Sequence, residues 1–347
     1  MNRATGLFVV ITSLWLAVCA EGLADEEEGY LQLYDGYGTP EKVVVRGRLL
    51  EEKPPPVPEK KGSVPGNVIR TVELLETDEI AGAPVEVRSE GRKARCITDK
   101  EGFFKVELRA GGSSWSPGEV PIDVRARTPE GKAVRARGTA LVYPDGPVRI
   151  VVTDFDDTLA RTKVARKLRL AWKTLAGEHS RFKPVKGMAH FLDQLSAEQA
   201  AAVFYLSAAP VNLYPRLKAF LEREGFPRGP LLLRNIGLGR ANDPWSALDY
   251  KVSHLEQIRR TFPEGRFVLI GDSGERDPEA YRIMRDRYPK AVETIFIRMV
   301  GKNGKDGTDR FRRLLTFRTG KQALAAAKKQ GIPVPDGNQK ETRESDK

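Results

Sequence analysis

The sequence predicts an α/β protein in two parts: a parallel sheet with helices on both faces, preceded by a small antiparallel β-sandwich. Three observations lead there. From Pro147 onward, continuous apolar runs alternate with helical stretches, the pattern of strands buried on both faces. Before that point, short branched and aromatic segments recur between turn signals, the pattern of a small antiparallel domain. The length, 347 residues, suffices for two domains that each bury a core.

In chain order, residues 1–20 read as an export signal. Arg3 supplies a positive n-region, Leu7 to Val18 is almost wholly apolar, and Val18-Cys19-Ala20 offers small residues where a signal peptidase cleaves. The run is too short to span a bilayer as an anchored helix, and acidic Glu21 and Asp25 to Glu28 follow at once. Lipidation of Cys19 is the alternative, which Val18 fits poorly. Once the signal is removed Cys96 is the single thiol, which excludes an internal disulfide and leaves it the role of a small buried apolar side chain.

Residues 21–40 are acidic and Gly-rich and read as a linker. The sandwich follows over 41–146. Val43 to Leu50 is its first strand, and Pro54-Pro55-Pro56, Pro58 and Pro65 make the next stretch a loop. Ala83 to Arg88 and Lys93 to Thr98 flank a hairpin turn at Glu90-Gly91. A second turn at Asp99 to Gly102 leads into Phe103 to Leu108, and Val120 to Ala126 and Ala133 to Val142 complete the set. No acid pair, histidine cluster or nucleophile–base arrangement occurs there, so the sandwich reads as an accessory or docking module.

The second domain is read over 147–318. Its strands are Val148 to Thr153, Ala201 to Leu206, Arg266 to Ile270 and Ala291 to Arg298. Leu213 to Glu224 is a helix stopped by Gly225, Lys251 to Phe262 one stopped by Pro263, and Pro278 to Tyr288 one with proline in its first turn. Residues 319–347 read as a C-terminal helix and a disordered, solvated tail.

Charge is uneven. Residues 151–347 carry 37 basic and 24 acidic side chains, whereas 21–150 carry 20 and 23, so the net +11 belongs to the C-terminal half. That favours an anionic substrate or membrane surface on this half, with a merely solvated basic face as the plain alternative. Nucleic acid is not expected, because aromatics do not interleave the basic residues. His179, His190 and His254 lack metal-ligand spacing, and His190, among apolar neighbours, reads as packing. Trp115, Trp172 and Trp245 read as core or rim residues.

In parallel sheets the ligand crevice lies beyond the carboxyl ends of the strands. The first strand of the second domain runs straight into Asp154-Phe155-Asp156-Asp157-Thr158. Such carboxylates at the end of a buried strand are costly unless a cation compensates them. The third strand ends in Gly271-Asp272-Ser273-Gly274-Glu275-Arg276-Asp277-Pro278, the second in Ser207, and Lys251 opens a helix between them. A hydroxyl and an ammonium so placed can hold phosphoryl oxygens.

This order of motifs resembles that of the haloacid dehalogenase superfamily of phosphatases. Asp154 to Thr158, Phe182 to Met188, Tyr205 to Pro215 and Phe267 to Glu279 further resemble the actin-patch type phosphatidate phosphatase catalytic domain, over about residues 148–300. The preceding sandwich looks like a transthyretin-like domain. One departure is Ala208-Ala209-Pro210-Val211, smaller and more apolar than the polar residue followed by Pro-Trp usual after the motif serine. The resemblance implies a HAD-like Rossmannoid sheet and a phosphomonoester hydrolase acting through an aspartyl-phosphate. Asp154 would be the nucleophile and Asp156 the acid and base. Mg2+ would be held by Asp154 and Asp272 through carboxylates and by Asp156 through its carbonyl, with Asp277 nearby. Ser207 and Lys251 would bind the transferred phosphate, and Asp157 and Thr158 would support the loop. The implied substrate is phosphatidate. A soluble phosphomonoester, or an exported surface-binding protein with a vestigial catalytic domain, are the alternatives.

Val164, Leu168, Trp172 and Leu175 form one helical stripe, with Lys163, Arg166, Lys167, Arg169 and Lys173 around it. Residues 163–173 are thus expected to cap the site, or more sharply to meet an anionic membrane surface.

Overall fold

The computed structural model describes residues 29–54, 78–161, 182–197, 201–235, 244–301 and 309–335. The export signal with Cys19, most of the proline-rich loop, the basic segment 163–173, His179, Trp172 and the end of the tail lie outside them.

Branched and aromatic residues build seven strands in the first half: β1 (Tyr30–Thr39), β2 (Lys42–Leu50), β3 (Pro84–Ser89), β4 (Arg92–Ile97), β5 (Phe103–Arg109), β6 (Gly118–Arg127) and β7 (Ala133–Val142). They form one sheet in the order β4-β3-β6-β7-β1-β2-β5. All its pairings are antiparallel except β1 with β7, which run parallel from Gly36↔Ala140 to Gly38↔Val142. The expected two-sheet sandwich is corrected in this respect. A single sheet curls until β5 comes alongside β4, enclosing Val43, Val45, Leu49, Val87, Trp115 and Val124. The hairpin turn is confirmed, with Glu90 at φ 45° and Gly91 at φ 81°, both in the left-handed region that a two-residue turn requires.

The linker expected over 21–40 is also corrected. Its second half is β1, an interior strand of the sheet between β7 and β2, because Leu31, Tyr34 and Tyr37 bury their side chains despite the acidic composition around them. Cys96 on β4 is half-buried rather than a core residue.

The second half begins with β8 (Arg149–Thr153), followed by the two-residue pair β9 (Ala160–Arg161) and β10 (Lys183–Pro184). Then come β11 (Ala202–Pro210), β12 (Leu231–Arg234), β13 (Arg266–Asp272), β14 (Val292–Arg298) and β15 (Leu315–Phe317). Among the described residues, five helices accompany them: α1 (Met188–Ser196), α2 (Tyr214–Arg223), α3 (Pro244–Thr261), α4 (Asp277–Arg287) and α5 (Gly320–Lys329). Six strands form a wholly parallel sheet in the order β12-β11-β8-β13-β14-β15. One face packs on α1, α2 and α5 through Phe191, Leu217 and Ala323; the other packs on α3 and α4 through Leu255, Ile258 and Tyr281. The α/β expectation therefore holds, with helices on both faces.

Chain order departs in both directions from β8, to β11 on one side and β13 on the other. That is the switch point at which such sheets open a crevice. The C-terminal helix belongs to this core, since Ala323, Ala327 and Ile332 are buried in it and the Pro333 carbonyl accepts a hydrogen bond from Arg149 Nη1 at 3.0 Å. Of the stretch read as helix and tail, Ile332 and Pro333 thus belong to the packed core. His190 is exposed on α1, not packed.

The curled sheet covers the β12 edge of the parallel sheet. A bulge in β1 between Tyr34 and Tyr37 aims Asp35 at α2, where its carboxylate accepts from Tyr214 Oη at 3.0 Å and Lys218 Nζ at 2.6 Å. Tyr37 packs edge-on against Phe204 of β11, their ring centroids 5.1 Å apart. Covering an edge in this way removes a row of unpaired backbone groups from solvent.

Candidate active site

The site is assembled from the carboxyl ends of three adjacent strands and one helix. The chain leaves β8 at Asp154, whose N–H donates to Ile270 O at 2.8 Å, so the loop is tied to β13 from its first residue. Phe155 turns inward against Phe182 and Phe220, leaving Asp154 and Asp156 on the crevice side. Asp157 sits in the left-handed region at φ 51°, and Arg298 at the end of β14 clamps it by donating from Nη1 to its carbonyl. Asp157 thereby holds the loop against β14. Thr158 is held by packing alone: its side chain is buried and Oγ1 has no hydrogen-bond partner.

On β11, Ser207 precedes a bulge that sets two extra residues between Leu233 and Arg234 of its neighbour. The bulge lets Ala209 N–H donate to Ser207 Oγ at 3.0 Å, and Ser207 Oγ in turn donates to Asp156 Oδ2 at 3.0 Å. On β13, Gly271 and Asp272 bring the backbone against the start of α4. Asp272 N–H donates to Asp277 Oδ2 at 3.0 Å, which fixes the first residue of that helix against the strand end.

Lys251 completes the group. It stands in the middle of α3, not at a helix start as expected, because the helix begins at Pro244. The apolar face of α3, with Leu248, Val252 and Leu255, lies on the sheet and swings the lysine over its carboxyl end. Its ammonium reaches Asp154 Oδ1 at 2.8 Å, Glu275 Oε2 at 3.0 Å and Asp277 Oδ1 at 2.5 Å. Burial alone would lower the Lys251 pKa, but Asp154, Asp277 and Glu275 hold it well above its ordinary value.

Asp154, Asp272 and Asp277 are fully buried and each offers one oxygen, all within 4.8 Å of one another. Burial, opposed by Lys251 and reinforced by Asp277, Glu275 and Asp272, drives the Asp154 carboxyl well above the usual range. Burial followed by Asp277 and Glu275 does the same to Asp272. Asp156 stands outside this trio; burial and then Glu275 lift it to about 8, against the Ser207 hydrogen bond and Lys251. One ammonium thus faces four buried carboxyls, and Asp154 Oδ2, Asp272 Oδ2 and Asp156 Oδ1 have no hydrogen-bond partner. Oxygen-only donors left unpaired in this way fit a hard divalent cation such as Mg2+.

Asp154, Asp156, Ser207, Lys251, Asp272 and Asp277 are therefore brought together at the carboxyl ends of the strands. Ser207 and Lys251, expected on phosphate, bond here to Asp156 and to the carboxylate cluster. Two members escaped the reading. Glu275 lies inside the quoted motif but was given no role, and Arg298 carries no local signal because only strand order places it beside Asp157.

Comparison with known proteins follows this geometry. Residues 149–299 match the family model described as phosphatidate phosphatase APP1, catalytic domain. The phosphatidate phosphatase APP1 of Saccharomyces cerevisiae is 27% identical over 157 residues, covering 45% of this chain and 27% of the yeast protein. An uncharacterized protein of Schizosaccharomyces pombe is 27% identical over 174 residues, covering 50% of this chain and 29% of that protein. The chain thus spans under a third of the length of these curated relatives. Among solved structures, a carbohydrate acetylesterase from Xanthomonas citri aligns over 86% of this chain and 74% of its own at 12% identity, with a TM-score of 0.28, too low to indicate a shared fold.

Proposed function

We propose that this chain, whose residues 149–299 belong to the actin-patch type phosphatidate phosphatase catalytic-domain family, is a Mg2+-dependent phosphomonoester hydrolase with phosphatidate as substrate. The observation that carries the reading is Asp154 Oδ2, an unpaired carboxylate oxygen at the switch point, with Lys251 on its other oxygen and Asp156 two residues away. The HAD-like Rossmannoid assignment is part of the same proposal.

Asp154 Oδ2 attacks phosphorus in line, and the bond from phosphorus to the substrate alkoxide breaks as the aspartyl-phosphate forms. Asp156, neutral near pH 7 with a carboxyl at about 8, gives its proton from Oδ1 to the leaving oxygen. The product is diacylglycerol when phosphatidate is bound. Asp156 then takes a proton from the water that attacks the same phosphorus, releasing phosphate and regenerating Asp154. Ser207 keeps the Asp156 carboxyl turned toward the crevice, and Lys251 holds the other Asp154 oxygen still. Asp154, Asp272 and Asp277 are the side chains that would hold Mg2+, which when bound would offset the negative charge of the phosphoryl oxygens. Export with cleavage after Ala20, and contact of residues 163–173 with an anionic surface, belong to this proposal as further expectations.

The purified chain assayed on dispersed phosphatidate and on a soluble monoester tests it. Phosphate release from phosphatidate, abolished by EDTA and restored by Mg2+, is expected. Release from the soluble ester alone would replace the lipid with a small substrate, and release from neither would leave a binding role.

A further inference from the structure

Between the curled sheet and the parallel sheet lies a cavity of about 210 Å3 that none of Asp154, Asp156, Ser207 or Lys251 lines. Its polar side is a row across three strands. Tyr34 pairs with Arg46 across β1 and β2, and Arg46 pairs with Lys105 across β2 and β5. Residues opposite one another in a sheet share a face, so a phenol, a guanidinium and an ammonium stand side by side along the cavity.

Among the described residues, two of these side chains carry buried donors without a hydrogen bond, while the Arg46 guanidinium lies over the Tyr37 ring, 5.9 Å from its centroid. Arg46 Nε and Nη2 are buried without a hydrogen bond, and so is Tyr34 Oη on a residue only 6% exposed. Nε and Nη2 form the edge with which a guanidinium grips two oxygens of a carboxylate or phosphate in parallel. Among the described residues of the lining, the carboxylate is Asp99, whose Oδ1 accepts from the N–H groups of Glu101 and Phe103. Partial burial lowers the Lys105 pKa first; Glu107 opposes the shift, and Arg46, Lys42 and Arg260 add to it. Phe103, two residues before Lys105 on β5, continues the row, and Val211, Leu231 and Leu233 line the cavity from the second half of the chain. The space exceeds the ~150 Å3 of an apolar cavity that admits benzene.

We infer that this interdomain cavity binds a single-chain anionic amphiphile, its carboxylate or phosphate head on Arg46, Tyr34 and Lys105 and the start of its alkyl chain against Phe103, Val211, Leu231 and Leu233. This goes beyond the phosphatase reading and does not depend on it. The charged end meets donors that have no hydrogen-bond partner among the described residues, and the alkyl chain covers apolar side chains of the lining.

Equilibrium binding to the intact chain tests it, using dodecanoate, dodecyl phosphate, dodecanol and inorganic phosphate, each below any micelle-forming concentration. At least one of the two anionic amphiphiles should bind one per chain, and the tighter of them names the head group. Dodecanol and inorganic phosphate should bind at least tenfold more weakly. Arg46→Met, which removes an unpaired head, and Leu233→Trp, which fills the tail space, should each weaken binding at least tenfold with an unchanged circular dichroism spectrum. Should either variant fail to fold, exposed Lys105→Gln still decides, with a several-fold loss expected. Absence of saturable binding by both anions, equal binding of dodecanol, or unchanged affinity in Lys105→Gln would overturn the inference. No turnover enters the readout, so a negative result leaves the chemistry at Asp154 standing.

Discussion

A methyl group on Gly271 would lie 2.5 Å from Cβ of Asp277 and 2.6 Å from its Oδ2. The last turn of β13 and the first residue of α4 are therefore in contact through a glycine, and that contact lets Asp272 N–H reach the Asp277 carboxylate. The candidate metal ligand Asp277 and the start of the helix are one unit.

Gly271→Ala should displace Asp277 without unfolding the chain. We expect a loss of about 1–3 kcal/mol of stability from the overpacking, together with weaker Mg2+ activation. Urea denaturation and a Mg2+ titration of activity check the two effects. Equal stability would mean that α4 shifts freely and that the contact sets nothing.

Asp154→Asn should reduce turnover by several orders of magnitude, as loss of a covalent nucleophile does. Folding should survive, because the change relieves a carboxyl that burial already holds far above its ordinary range. Phosphate release and thermal melting measure these separately, and release near the wild-type rate would end the aspartyl-phosphate mechanism.

Lys251→Met removes the single cation shared by Asp154, Glu275 and Asp277. Breaking a buried ion pair from one side costs about 3–5 kcal/mol, so the variant should be strongly destabilised without Mg2+. Adding Asp277→Asn should recover part of the loss. A double variant no more stable than the single one would show that the carboxylates do not depend on this ammonium.

EDTA should lower the melting temperature and Mg2+ restore it, since cation binding to the folded state alone stabilises it by mass action. Replacing Asp272 by Asn should blunt that shift, one unpaired oxygen having been removed. Calcium, which takes longer and more numerous oxygen contacts, should restore less activity than Mg2+.

His254, stacked on Tyr250 of the same helix at 4.2 Å, is held down to about 4 from its ordinary 6.5, by burial first and then by Arg46. Its folded form binds a proton less readily than the unfolded chain. The neutral ring's contribution is therefore fully present above about pH 6.5 and is lost as pH falls toward 4. Denaturation midpoints between those values should fall with acidification, on the order of 1–3 kcal/mol in all, and less steeply in His254→Gln. Identical slopes would place the acid sensitivity elsewhere.

Much was legible in the sequence because it is written locally. A buried strand announces itself by an unbroken apolar run, as in Ile150 to Val152, and the carboxylates that follow it stand out against that run. The strand-end rule then places Asp154, Ser207 and Asp272 in one crevice before any coordinates exist. Turn chemistry is local too, so Glu90-Gly91 could be read directly. Short or masked elements escaped. β12 and β15 have four and three residues, below the length at which periodicity can speak, and the acidic residues around β1 hid its buried tyrosines.

What only the tertiary structure decided are relations between segments far apart in the chain. Curling of a single sheet, with β1 parallel to β7, depends on strand pairing that no residue pattern encodes. Arg298 became the clamp on Asp157 because β14 lies beside β13, and Glu275 became a third partner of Lys251 because α3 crosses the sheet at that height. The row of Tyr34, Arg46 and Lys105 exists only through register across three strands, where a slip of one residue would turn every side chain to the opposite face. Side-chain chemistry is a property of the residue, and so the sequence by itself determined the reacting groups. Burial, partnering and the resulting shifts in proton affinity depend on distances of a few ångströms, which the packing of the two halves sets.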